Sequence, residues 1–176
     1  MKRFALDFLS QWRVRPDRKP LVIRGARQVG KTELVRIFAR QAFDSIVEIN
    51  FDENPEKASL FDEPDIQTIL RLIEADASEK IVPGKTLLFL DEIQGALAVL
   101  AKLRYFYEKM PELHVIAAGS LLDFSLGAPR VQGFSFKWNR TASSVSEWVL
   151  SRAFPIPRGT SRKAPATGAR LLFAKP

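Results

Sequence analysis

Apolar side chains follow a helical rhythm in some stretches of this chain and an unbroken or alternating one in others. Near the N-terminus Phe4, Phe8, Leu9 and Trp12 fall at i, i+4, i+5 and i+8, which predicts a helix over about residues 3–13. The prolines of RPDRKP turn the chain, and LVIRG reads as a short buried strand running into a glycine loop. Leu34, Val35, Ile37 and Phe38 lie on or near one face of a helix predicted over 31–42. SIVEINF is β-branched and partly alternating, as strands are, and DENPEK follows as a loop. Asp65 is placed to cap a helix whose Ile66, Ile69, Leu70 and Ile73 stand at i, i+3, i+4 and i+7. After the VPGK break, TLLFLDE opens with a continuous apolar run, the mark of a strand covered on both faces. Leu97, Leu100, Leu103 and Phe106 predict the inward face of a helix over 96–109, and LHVIAAGS is another buried strand.

Strands alternating with helices predict βαβ units, hence an α/β fold with a mostly parallel sheet. Ligands of such sheets bind beyond the carboxyl ends of the strands, and there this chain carries its chemistry. Gly25-Ala26-Arg27-Gln28-Val29-Gly30-Lys31-Thr32 fits the phosphate-binding pattern GxxxxGK[ST], with a strand before it and a helix after. The glycines let the backbone wrap so that successive N–H groups meet phosphate oxygens, and the helix N-terminus adds its positive dipole end. Lys31 can reach the β- and γ-phosphates, and the Thr32 hydroxyl can ligate Mg²⁺. The apolar strand from Leu87 delivers Asp91 and Glu92 at its carboxyl end. Asp91 is expected to hold Mg²⁺ and Glu92 to polarise an attacking water as general base. Ser120 ends the next strand, where it either bonds the γ-phosphate or the water, or caps the segment LLDFSL. Binding and hydrolysis of ATP is the expected function. No NKxD stretch is present for guanine, and the paired acids suit water activation better than transfer to a bound small molecule.

Composition narrows the alternatives. A chain of 176 residues can bury one sizeable core. The lack of cysteine excludes disulfides and thiolate metal sites, and the single histidine, His114, lies in a strand, a poor position for a metal ligand. No apolar run approaches the ~20 residues of a membrane helix, and MKRFALDFLSQW lacks a small-residue cleavage site, so a cytoplasmic location is expected. The net charge of +7 is unevenly spread. Residues 1–126 hold 18 Lys and Arg against 19 Asp and Glu, whereas residues 127–176 hold nine against the lone acid Glu147. The basic balance thus belongs to the last fifty residues. Trp12, Trp138 and Trp148 form no aromatic–basic pattern for stacking bases. Arg27 and Gln28 sit inside the loop, where solvation alone can account for them.

LVIRGARQVGKTELVRIFA, IVEINFDENPE, KTLLFLDEIQ and LRYFYEKMPELHVIAAGSLLDFSLG resemble the bacterial and archaeal ATP-binding proteins that join an AAA-type (AAA_14) ATPase domain to a C-terminal DUF4143 domain. The resemblance covers about residue 18 to Gly127. It implies an AAA+-like P-loop sheet of order 5-1-4-3-2, with Lys31 and Thr32 on nucleotide and Mg²⁺. It also implies Asp91 and Glu92 as the Walker B pair, and Ser120 near the sensor-1 position. An unidentified protein client and self-association are left open by it.

Two domains of different character are therefore expected: a P-loop ATPase core over 1–127, and a basic, proline-containing tail over 128–176 that is either solvated or frameshifted. The resemblance leads one to expect a strand like GRVxFLxMxPLSFxEFL after Gly127, and none is intact. Read from the third base of Gln132, codons permitted by QGFSFKWNR include RVFLQMEP, which is close to that strand. SSVSEWVLSRAF is expected as a short helix. On this reading the fold lacks its fifth strand and its lid, LVIRG becomes a bare edge prone to aggregation, and turnover is weak or absent. A non-catalytic ATP-dependent interaction module is the rival function, and nucleic-acid contact through the basic tail is a third.

Overall fold

The central strands of this protein are apolar on both faces because helices cover both. The computed structural model describes residues 2–120 and 134–137. In chain order the elements are α1 (Lys2–Arg13), β1 (Leu21–Arg24), α2 (Lys31–Ala42), β2 (Ser45–Asn50), α3 (Ile66–Ala77), β3 (Thr86–Asp91), α4 (Leu97–Lys109), β4 (His114–Gly119) and β5 (Phe134–Lys137). Short 3-10 segments, Pro55–Phe61 and Ile93–Ala96, precede α3 and α4. The first of these starts within the stretch expected as the loop DENPEK.

The sheet runs β2-β3-β4-β1-β5 with every pairing parallel. This is the order that the resemblance implies. One expectation is corrected here. The fifth strand is present: Phe134–Lys137 pairs with Leu21–Arg24 residue for residue, so β1 is an inner strand and not a bare edge. Four alternating residues, FSFK, make a strand too short for a periodicity argument, and only the open ladder of β1 gives it a partner. The expected absence of a lid and the helix expected at SSVSEWVLSRAF concern stretches outside the described residues, as do Trp138 and Trp148.

Alternation along each strand sorts its side chains into two cores. Val22, Val47, Ile49, Leu88, Leu90, Val115 and Ala117 pack with α3 and α4 on one face. Leu21, Ile23, Leu87, Phe89, Ile116 and Ala118 pack with α1 and α2 on the other. Each fully buried Leu, Ile or Phe contributes about 1.5–3 kcal/mol. The α3 stripe Ile66, Ile69, Leu70 and Ile73 is buried as its spacing requires, and the Asp65 carboxylate accepts the Thr68 N–H at 3.0 Å. On α1, Ala5, Leu9 and Trp12 face the core while Phe4 is exposed. Arg36 of α2 makes two bonds to the Glu48 carboxylate of β2, at 2.9 and 2.7 Å, and so pins helix to strand.

Candidate functional site

The loop from Gly25 to Gly30 joins β1 to α2 at the carboxyl end of the sheet. It needs left-handed backbone twice, at Gln28 (φ 59°) and Gly30 (φ 88°). Glycine adopts that conformation without strain, and Gly30 is also the residue that precedes the first turn of α2. No side chain caps this helix, so its first N–H groups are left for an anion from outside the chain. Arg27 and Gln28 are exposed, and Arg27 lies 3.9 Å from Asp52. Both fit a solvated role.

Lys31 is the unusual member. It is only 4% exposed, and its ammonium donates to the carbonyls of Gly25 and Ala26 at 3.0 and 2.9 Å. The cation therefore sits inside the curl of its own loop. Burial lowers its pKa, and the nearby carboxylates of Glu92 and Asp91 oppose that shift. Asp91, 1% exposed, ends β3. Burial raises its pKa, opposed by the two bonds its carboxylate accepts. One comes from the Thr32 hydroxyl at 2.6 Å, the other from the Glu92 N–H at 2.9 Å.

Thr32 and Asp91 are 59 positions apart, and the fold brings them into direct contact. A hydroxyl beside a buried carboxylate is a hard-oxygen donor pair of the kind Mg²⁺ prefers, with phosphates and water completing its shell. Among the described residues no group of three or more His, Cys, Asp or Glu could hold a metal without such help. His114, at the amino end of β4, is far removed from these donors along its strand.

Glu92 follows Asp91 with φ 51°, a left-handed conformation that costs a non-glycine residue free energy. The bend lifts its carboxylate away from the line of β3. The 3-10 segment that follows is tightly held. Ile93 is fully buried, the Gly95 N–H donates to the Glu92 carbonyl at 3.0 Å, and a Cβ on Gly95 would lie 3.2 Å from the Phe51 carbonyl oxygen. Ser120 lies just past β4. Its N–H donates to the Gln94 side chain at 3.0 Å, while its hydroxyl is buried and has no partner among the described residues. An orphaned buried hydroxyl is costly unless something else satisfies it, which suits a phosphate oxygen or water.

The structure thus gathers Lys31, Thr32, Asp91 and Glu92 at the carboxyl end of β1 and β3, with Ser120 joined to Glu92 through Gln94. Gln94 itself escaped the sequence reading. Its signal was the glutamine of DEIQ, an amide that can both donate and accept, two residues past the acid.

A family model described as an AAA domain (AAA_14) matches residues 17–133. No curated protein matches the sequence. Among solved structures, the chain is similar to the Aeropyrum pernix Orc1 protein, determined in complex with DNA, at 12% identity and a TM-score of 0.53, over 78% of this chain and 45% of that one. It also aligns with Caenorhabditis elegans PCH-2 at 14% identity and a TM-score of 0.41, over 67% of this chain and 35% of that one. The chain therefore spans less than half the length of either. The first likeness bears on fold alone. Among the described residues no helix is long and apolar enough to cross a membrane.

Proposed function

The chain belongs to the AAA domain family, with that family's nucleotide-binding ATPase-type core, and on that premise we propose that it binds ATP with Mg²⁺ and hydrolyses it. The contact between Thr32 and Asp91 carries this reading most directly. It joins the phosphate loop to the carboxyl end of β3 through the two side chains that would hold Mg²⁺. When bound, the metal would neutralise charge on the β- and γ-phosphates.

The chain's own groups divide the remaining work. The loop N–H groups and the first turn of α2 receive the phosphates. Lys31 exchanges its two carbonyl acceptors for phosphate oxygens, a stronger charge-assisted pairing. The Glu92 carboxylate accepts a proton from the attacking water, and the spare Ser120 hydroxyl bonds the γ-phosphate or that water. Burial of Lys31 and Asp91 keeps bulk water from weakening these interactions.

Glu92→Gln separates this reading from its rival, a nucleotide-switched interaction module without turnover. An ATPase loses about 100-fold or more in turnover and keeps its nucleotide affinity. If the wild-type chain binds ATP and shows no Glu92-dependent hydrolysis, the rival stands. The basic balance of residues 127–176 supports a second activity, contact with nucleic-acid phosphates. Binding that weakens steeply with salt, and only while those residues are present, is its expected signature.

A further inference from the structure

The Gln94 side chain uses both ends of its amide. Its NH₂ donates to the Glu92 carboxylate through a short bond, and its carbonyl oxygen accepts the Ser120 N–H at 3.0 Å. Glu92 follows β3 and Ser120 follows β4, so one planar group ties together the ends of two adjacent strands. The geometry leaves Gln94 little freedom. It lies between the buried Ile93 and Gly95, where an added Cβ would come within 3.2 Å of the Phe51 carbonyl oxygen. Glu92 meanwhile holds its left-handed backbone, so its carboxylate direction depends on what receives it.

From this juxtaposition we infer that Gln94 is a positioning residue that couples the Glu92 carboxylate to the Ser120 end of β4. The inference rests on the ATPase reading for its catalytic consequence, but not for the coupling itself. An amide has one donor end and one acceptor end. Rotating it to follow Glu92 necessarily moves the oxygen that holds the Ser120 N–H. Any group that engages the orphaned Ser120 hydroxyl and shifts this turn therefore also shifts Glu92. A γ-phosphate, if bound there, would be sensed by the base through Gln94. A glutamine is required in full: alanine removes both bonds, and glutamate keeps an acceptor for Ser120 while replacing the donor to Glu92 with a like charge.

The test has a binding-independent arm and a turnover arm. In the nucleotide-free full chain, the Ser120 amide is followed by ¹⁵N NMR in a double-mutant cycle of Glu92→Ala and Gln94→Ala. Glu92→Ala is expected to move the Ser120 resonance when Gln94 is present and to have much less effect when Gln94 is alanine. Equal effects in both backgrounds, or none, overturn the coupling whether or not the chain hydrolyses ATP. In the turnover arm, Gln94→Ala should lower kcat about 10- to 100-fold, in the range seen for partners that orient a reacting group, with KM little changed. Gln94→Glu should lower kcat as far or further, again with KM little changed, because it sets a like charge where Glu92 has a donor. Unchanged kcat in Gln94→Ala, beside an active wild type, overturns the positioning role. A wild type without turnover sinks the ATPase reading, and the NMR cycle still decides the coupling.

Discussion

The two ends of the sheet both bury ionisable groups, and they treat them in opposite ways. At the carboxyl end Lys31 and Asp91 lie inside the protein among groups of opposite charge, loop carbonyls and N–H donors. At the amino end His114 is packed against rings: Phe43 at 4.8 Å and Trp12 at 5.8 Å between centroids. Its Nε2 lies 3.3 Å from the Arg13 carbonyl, and its Nδ1 is buried without a partner. Burial, reinforced by the nearby cations Arg18 and Arg13, lowers its pKa to about 4, so it is neutral at physiological pH. A neutral ring avoids the larger cost of burying a charge in an apolar setting and serves as packing. Charged groups are retained only where partners compensate them, and those partners are what a phosphate and a metal would engage. The comparison separates burial that stabilises from burial that prepares chemistry.

The most severe way to break the comparison is at the amino end. Trp12 is fully buried, packs on Phe38, and donates its indole N–H to the Lys19 carbonyl at 2.9 Å. Trp12→Ala should cost about 3–5 kcal/mol in denaturant unfolding. Nucleotide affinity of the fraction that stays folded should be unchanged, since Trp12 lies at the other end of the sheet. Loss of affinity without loss of stability would reverse the assignment of the two ends.

Lys31→Ala is the counterpart at the carboxyl end. Nucleotide affinity should fall about 100-fold, equivalent to ~2.8 kcal/mol at about 1.4 kcal/mol per tenfold. The unfolding midpoint should move far less than it does for Trp12→Ala, because the substitution removes a buried charge together with the two carbonyl bonds that hold it. Titration with a fluorescent ATP analogue and a thermal melt on the same sample read the two effects together.

A pH series sharpens the contrast at intermediate scale. The His114 pKa falls from the ordinary 6.5 to about 4 on folding. Between those values the unfolded chain binds the extra proton, so stability rises with pH there. The contribution is complete above about pH 6.5 and is lost as pH falls towards about 4. His114→Phe, of similar shape and without a titrating group, should flatten that part of the stability curve. An unchanged slope would place the titration elsewhere.

The smallest effect is expected at α3, remote from both ends of this comparison. Asp65→Ala removes the acceptor for the Thr68 N–H and should lower the melting temperature slightly, with Asp65→Asn restoring most of it. A large drop would mean that the cap organises more than its own helix.

Much of this was legible in the sequence because it depends on near neighbours. The i, i+3, i+4, i+7 pattern of Ile66, Ile69, Leu70 and Ile73 sets a buried helix face wherever the helix packs. The glycine loop ahead of Lys31 and Thr32, and the apolar run into Asp91 and Glu92, are placed by local spacing at the carboxyl ends of β1 and β3. Phe4 shows the limit of the same reasoning. Its helical position was right, but Ala5 and not Phe4 is the buried residue at the start of α1, a choice made by what the helix packs against.

What the sequence determined by itself is the main helices and strands from α1 to β4, their alternation into a parallel sheet, and the candidates for binding phosphate and metal. These follow from local periodicity and from the chemistry of each side chain. Only the tertiary structure decided that Phe134–Lys137 extends the sheet at β1, because a four-residue strand takes its register from the ladder it joins. Only the tertiary structure bent Glu92 into left-handed backbone and set Gln94 between it and Ser120. Gln94 and Ser120 are 26 positions apart, and no local rule connects them. Their bond exists because two strands distant in sequence lie side by side in a sheet and end at the same edge.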